Sequence, residues 1–177
     1  MSKTVAICRY GAGNVRSVKL AFTRLGAELI DDVEAADLAV LPGVGAARSA
    51  MAGLEERGLV DVLRARTKPT LGICLGLQLA LESSEEDGGV DGLGIVPGRA
   101  VRLRDGRIPR IGWAHVEPEH EAYWFAHSYV AESPAVTATS EGLAAIVEHG
   151  AFTGVQFHPE KSGPAGQRFL EQCLSRA

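Results

Sequence analysis

The chain has 177 residues, 46% of them hydrophobic and only 6% aromatic, with a formal net charge of −4. That length encloses one aliphatic core, so a single domain over residues 1–177 is expected, and scattered basic residues under a negative net charge argue against nucleic acid and for a small-molecule ligand. Cys8, Cys74 and Cys173 are widely spaced and form no C-x-x-C pair, which points away from a disulfide framework or zinc site and toward a reducing cytoplasm; no segment, residues 1–4 included, reads as a leader or membrane span.

Residues 4–8 read as a buried strand, followed by the Gly-rich turn Tyr10-Gly11-Ala12-Gly13-Asn14 and an amphipathic helix over residues 15–25, stopped by Gly26. The pattern repeats: an apolar run at residues 38–41, the loop Pro42-Gly43-Val44-Gly45, then helical residues 46–66 broken around Gly53 and Gly58. A further strand leads through Thr70-Leu71 to Gly72-Ile73-Cys74-Leu75-Gly76, with a helix starting near Leu75. Strands alternating with helices predict an α/β fold, a parallel sheet covered on both faces, and such sheets bind ligands beyond the carboxyl ends of their strands, where all three loops would lie. After a polar, glycine-rich stretch at residues 83–94 the character changes. Short alternating segments at residues 100–103, 123–128 and 136–139 predict antiparallel strands, Val155-Gln156-Phe157 a late strand ending at His158, and residues 166–174 a closing helix. No internal repeat is present.

Two segments carry chemistry. Small residues on both sides of Cys74 suit a tight strand-to-helix turn that exposes the thiol, and unpaired N–H groups at the start of the following helix favour the thiolate. The Leu75 N–H is placed to receive charge developing on a carbonyl oxygen, and the glycines of the 42–45 loop allow Gly45 to supply a second donor. At the other end, Pro159 keeps His158 extended, so Glu160, two residues on, projects to the same side and can steer the imidazole while its other nitrogen exchanges a proton with the thiol and a leaving amine. Gln78 lies one helical turn after Cys74 on the same face.

The remaining candidates read as structural. Cys8 and Cys173 sit in apolar surroundings as small core residues. Gly11-x-Gly13-x-x-Arg16, with Asp31 or Asp32 about 20 residues on, has the outline of a dinucleotide loop, but Arg16 stands where glycine or alanine is needed, so no NAD is expected. His115, His120 and His149 show no ligand spacing, and no metal is expected.

Gly72-Ile73-Cys74-Leu75-Gly76, Pro42-Gly43-Val44-Gly45 and Gly154-Val155-Gln156-Phe157-His158-Pro159-Glu160 resemble the class I, triad-type glutamine amidotransferases. Within that class Tyr10-Gly11-Ala12-Gly13-Asn14-Val15-Arg16-Ser17-Val18, residues 41–46, His127-Ser128-Tyr129 and Lys161-Ser162-Gly163 resemble the glutaminase subunits of imidazole glycerol phosphate synthases, over nearly the whole chain. The resemblance implies a flavodoxin-like fold: a central, mostly parallel sheet flanked by helices, with additional antiparallel strands. It implies hydrolysis of L-glutamine to glutamate and ammonia without a cofactor, with Cys74, His158 and Glu160 catalytic and Gly45 and Leu75 forming the oxyanion hole. Gly43, Gln78, Ser128 and Tyr129 would hold the amino-acid end of glutamine. The implied partner is a (β/α)8-barrel cyclase subunit, in a cytoplasmic heterodimer of histidine biosynthesis. Asn14, Ser17, Trp124 and Lys161 would face it, and basal activity would stay low until it reorients the Gly43 to Gly45 peptides.

The chain departs from the family pattern at three places. Ala114 replaces the usual Asn after Gly112-Trp113, Trp124 stands where Tyr is commoner, and the stretch between Trp113 and His127 is short. Three other readings stay open on the residues: a glutaminase of another amidotransferase, a non-catalytic glutaminase-like binding subunit, and a cysteine peptidase, which ammonia release from glutamine rather than peptides separates.

Overall fold

The apolar runs of the first half pair side by side. In the computed structural model, which describes residues 2–177 and leaves Met1 outside, β1 (Thr4–Ile7), β2 (Glu28–Ile30), β3 (Leu38–Leu41) and β4 (Thr70–Ile73) are parallel neighbours in the order β4-β3-β1-β2. Both faces of β1, β3 and β4 are covered, so these strands read as continuous apolar runs. Val5, Ile7, Leu38 and Val40 point to one face and Ala6, Cys8, Ala39 and Leu41 to the other. On the first face pack α1 (Val15–Arg24) and the closing helix through Val18, Phe22, Leu170 and Cys173. Against the second lie α2 (Ala47–Glu56), α3 (Leu59–Ala65) and α4 (Leu75–Ala80), through Ala50, Leu54, Leu63 and Leu79.

The break expected at Gly53 is absent: α2 runs through it, and a Cβ there would stand 2.0 Å from the Tyr10 carbonyl, so this glycine serves close approach rather than a turn. The break at Gly58 is real, with that residue left-handed (φ +65°) between α2 and α3. Strand β2, with its mixed and half-buried pattern, carries too little periodicity to be read from sequence.

The second half is more finely divided than its sequence pattern. β5 (Ser83–Ser84) and β6 (Val90–Asp91) lie inside the polar stretch, and with β7 (Arg99–Arg102) and a later strand, β10 (Tyr129–Glu132), they form a small second sheet; β7 is antiparallel to β10 but parallel to β5. β8 (Arg110–Val116) and β9 (Glu121–His127) form a separate two-stranded ribbon closed by residues 117–120. β11 (Val136–Ser140), β12 (Leu143–His149) and β13 (Phe152–Val155) extend the main sheet, whose full order is β11-β12-β13-β4-β3-β1-β2. β13 is parallel to β4, and β11 and β12 are antiparallel. The expected strand over residues 155–157 therefore stops two residues early. After Val155 the chain bends, and Gln156 and Phe157, both fully buried, carry it inward so that His158 arrives beside the end of β4. α5 (Gly163–Arg176) is longer than the 166–174 expectation. No described helix is long and apolar enough to cross a membrane.

Candidate active site

The three loops do meet at the carboxyl edge of the parallel strands. Gly13 packs on Pro42 and Gly43, the Tyr10 hydroxyl donates to the Pro42 carbonyl, and a Cβ on Gly43 would lie 2.5 Å from Leu75 Cβ. Gly76 closes the junction: a Cβ there would stand 1.8 Å from the Leu41 carbonyl. β3, its loop and the start of α4 can approach this closely only because glycine occupies both contact points.

Cys74 sits at the bend. Its φ of +52° and ψ of −105° place a non-glycine residue in the left-handed half of φ/ψ space, a conformation that costs energy and is kept where the surroundings impose it. Here β4 ends at Ile73 and α4 begins at Leu75, and the Cys74 N–H is held by the Val155 carbonyl at 2.7 Å. The side chain is 6% exposed and faces a cavity of about 230 Å³ lined by Val44, Gly45, Leu75, Gln78, His127 and Tyr129, with Ser128, Pro109, Ala126 and Glu86 completing its wall.

His158 meets the thiol from the other side. Its backbone is extended, as its proline neighbour predicts (φ −105°, ψ 92°), and its N–H donates to the Trp124 carbonyl. Glu160 reaches it by a different route from the one expected. Residues Pro159–Lys161 form one 3₁₀ turn, so Glu160 comes back to the ring from a turn rather than from the same side of a strand. Glu160 Oε1 lies 2.9 Å from His158 Nδ1, with both side chains 2% exposed. That leaves Nε2 on the side of Cys74, whose sulfur lies 3.8 Å from the Ala126 carbonyl and receives Gln156 Nε2 at 3.5 Å. Burial pushes the imidazole down, but its bonds to Cys74 and Glu160 outweigh it and hold it up at about 9. His158 thus carries a proton at neutral pH, beside a nucleophile and a cavity, which is the equipment for acyl transfer with a charged general acid.

The other expected residues divide. Gly45 and Leu75 both border the cavity beside Cys74, as do Gln78, Ser128 and Tyr129. Gln78 is not a solvated helix residue; it is 5% exposed, and its Nε2 donates to the Tyr129 carbonyl at 3.0 Å and to Gln156 Oε1 at 3.2 Å. Gly43 lies outside the wall, buried beneath it against Leu75 and Gly76. Asn14 caps α1 by accepting from the Ser17 N–H at 3.3 Å, so this pair has a local structural role. Trp124 is half-buried and stacks edge-on with Trp113, and Lys161 is exposed. Ala114, opposite Tyr123 in the ribbon, packs against the core. Cys8 and Cys173 are core thiols, raised by burial to about 12, and His115, His120 and His149 are exposed.

Three residues of the site escape the sequence patterns. Gln156 is fully buried and its Nε2 donates to Cys74 Sγ at 3.5 Å; the chain bend before His158, invisible in an apolar run, delivers it. Glu86 borders the cavity and accepts from the Ala47 N–H at 2.7 Å, but its sequence context is a polar, glycine-rich stretch that looks like a linker. Trp113 is 58% exposed, and with exposed Ile111, which pairs with the cavity residue Ala126, it forms an apolar face of the ribbon.

A cysteine on a left-handed elbow, with a buried histidine and glutamate pair on a mostly parallel sheet, is an arrangement suited to acyl transfer. The model of the glutamine amidotransferase class-I family matches residues 3–177, and the chain belongs to that family. A solved glutamine amidotransferase shares the fold, with a TM-score of 0.78 at 22% identity over 97% of this chain and 98% of that one. A glutamine amidotransferase from Thermotoga maritima does so with a TM-score of 0.63 at 19% identity, over 97% and 81%.

The sequence relatives narrow the family. Imidazole glycerol phosphate synthase subunit HisH of Exiguobacterium sibiricum is 45% identical over 181 residues, covering 95% of this chain and 93% of the relative. That of Methanothermobacter thermautotrophicus is 43% identical over 194 residues, covering 96% and 97%. The chain is thus a member of the HisH branch of the class.

Proposed function

We propose that this chain is the glutaminase subunit of an imidazole glycerol phosphate synthase, releasing ammonia from L-glutamine at Cys74 for use in histidine biosynthesis. The observation that carries the reading is Cys74 in the wall of a cavity large enough for one amino acid, backed by the buried His158 and Glu160 pair. With its proton already on His158 Nε2, the Cys74 sulfur attacks the side-chain amide carbon as thiolate, and charge collects on the carbonyl oxygen, where the Leu75 and Gly45 N–H groups are the candidate donors. His158 gives its Nε2 proton to the nitrogen as the C–N bond breaks, so ammonia leaves and a thioester remains. Water then adds to the thioester carbon, His158 takes its proton, and glutamate departs with the sulfur restored. Glu160 holds the ring in one orientation and stabilises the imidazolium. Among the described residues Glu86 is the one carboxylate lining the cavity, suited to the α-ammonium of glutamine, with Gln78, Ser128 and Tyr129 around the rest of its amino-acid end and Gly43 fixing the loop beneath.

The partner in this reading is a (β/α)8-barrel cyclase subunit. The exposed Trp113 and Ile111 beside half-buried Trp124 supply an apolar docking face at the cavity rim, flanked by Lys161, with Asn14 and Ser17 at the head of α1. Gly43 is pinned on Leu75, whereas Val44 and Gly45 are exposed with Gly45 at φ +116°, so partner-driven reorientation is confined to those two residues. Three free thiols fit a cytoplasmic location. The test is ammonia and glutamate release from glutamine, by the chain alone and with the cyclase subunit, against peptide substrates and Cys74→Ala. Release that survives Cys74→Ala, or that requires a peptide substrate, defeats the reading.

A further inference from the structure

Arg110, at the start of β8, takes no part in the glutaminase steps, yet it is fastened at three points. Its Nη2 donates to Ser140 Oγ at 2.8 Å and to Glu141 Oε2 at 3.0 Å, its guanidinium carbon stands 4.3 Å over the Phe125 ring, and its side chain is 15% exposed. Ser140 closes β11 and Glu141 begins the two-residue turn to β12, held left-handed at φ +53°, where few side chains are found. The remaining arm of the guanidinium, Nη1, is 3.5 Å from Nε2 of His127, the residue paired with Arg110 across the ribbon.

His127 borders the cavity, and its neighbours settle where its proton sits. Nδ1 is 2.9 Å from the Tyr129 carbonyl, which can only accept, so Nδ1 carries the hydrogen; Nε2 faces a guanidinium that can only donate, so it is bare. The Tyr129 carbonyl also receives Gln78 Nε2, Gln78 donates to Gln156, and Gln156 donates to the sulfur. One hydrogen-bonded chain thus runs from the surface carboxylate of Glu141 through Arg110, His127, the Tyr129 carbonyl, Gln78 and Gln156 to Cys74.

We propose that Arg110 is a positioning residue of the glutamine pocket, fixing His127 as a single neutral tautomer so that the Tyr129 carbonyl stays directed at Gln78. Burial, opposed by the Tyr129 bond and reinforced by the charges of Arg110 and His158, depresses His127 to about 4, in keeping with the neutral form. The inference rests on the glutaminase reading, because the pocket it shapes is the one assigned to glutamine.

The experiment uses the full chain with ¹⁵N-labelled histidine, for ring-nitrogen spectra, and the same chain with its cyclase partner, for glutamine kinetics. Wild type should show His127 as the Nδ1–H tautomer from pH 6 to 9. In Arg110→Met, where the Tyr129 carbonyl alone still favours Nδ1–H, a measurable Nε2–H share should appear, and KM for glutamine should rise about tenfold with kcat changed less than about threefold, the effect of one lost hydrogen-bond anchor in a binding site. Arg110→Lys, which keeps a cation on the same stem, should restore the tautomer and bring KM to within about threefold of wild type. A wild-type spectrum with the hydrogen on Nε2 overturns the proposal, as does a Met variant with unchanged tautomer and KM or a Lys variant as impaired as the Met one. Should Arg110→Met not fold, the wild-type and lysine measurements decide alone. Absence of glutamine hydrolysis by wild type removes the functional reading instead, and the spectra judge Arg110 without it.

Discussion

Replacing Glu160 by Gln probes the triad at its most enclosed contact. The variant keeps the side chain's shape and an acceptor 2.9 Å from His158 Nδ1, and removes only the charge, where both side chains are 2% exposed. Burial opposes the imidazolium; the bonds to Cys74 and Glu160 hold it at about 9. A hydrogen bond to a charged group contributes about 1.5–3 kcal/mol and one pKa unit corresponds to about 1.4 kcal/mol, so losing the charge should lower His158 by about 1–2 units. The assay is kcat/KM for glutamine from pH 6 to 10 with the cyclase partner present. Wild type should lose activity on the alkaline side near pH 9; the variant should lose it about 1–2 units earlier and be slower by about a hundredfold or more at pH 7. Folding follows the same sign. A pKa raised from 6.5 to about 9 contributes stability that is complete below pH 6.5 and lost as pH rises through 9, about 3 kcal/mol in all. Urea unfolding at pH 6 and pH 10 should show a smaller difference in Glu160→Gln than in wild type. An alkaline limb that stays in place in the variant refutes the assignment of His158 as an acid held charged by Glu160.

Other substitutions test the geometry separately. Cys74→Gly and Cys74→Ala should both release no ammonia, but the glycine variant should be the more stable by about 1 kcal/mol in thermal unfolding, because only it relieves the left-handed backbone at φ +52°. Gly76→Ala should destabilise the chain by roughly 3 kcal/mol, measured by urea midpoint, since a Cβ 1.8 Å from the Leu41 carbonyl forces β3 and α4 apart. Gln156→Leu should lower kcat about tenfold with little change in KM, and cost about 1–3 kcal/mol in stability by leaving Gln78 Nε2 one partner short.

The parallel half of the fold was legible because its signals are local. Apolar runs four residues long, loops rich in glycine and a helix stop at Gly26 each carry their own physical cause, and the strand at Leu38–Leu41 falls where its run ends. The antiparallel half was only partly legible. β8 alternates apolar, glycine and polar residues on a ribbon with one exposed face, and β5 and β6 are two residues each, held by pairing with distant strands rather than by any pattern of their own. The same distinction governs the site. Cys74 and its elbow are written in one pentapeptide, and His158 announces itself through the proline that follows. Glu86 reaches the cavity only because the Ala47 N–H draws its carboxylate in from 39 residues away, and Gln156 reaches the sulfur only because the chain bends after Val155. Contacts of that kind have no signature short of the fold.

The two histidines beside Cys74 show why residue type alone could not assign the acid. His127 and His158 are buried to nearly the same degree, 5% and 2% exposed, and each offers Nδ1 to an oxygen at 2.9 Å. Burial acts on both in the same direction, lowering the charged form. What separates them is the second partner and the charge of the first. His158 meets a carboxylate and a thiol, one negative and one able to become so, and ends at about 9; His127 meets a neutral carbonyl and a guanidinium and ends at about 4. Between those values, across the whole neutral range, the His158 ring is cationic and in the proposed mechanism gives its proton to a leaving amine, while His127 is neutral with its one hydrogen held by the Tyr129 carbonyl. Exchanging their partners would exchange their charge states, so the acid proposed for this site is defined by Glu160 on one side and Arg110 on the other as much as by either imidazole.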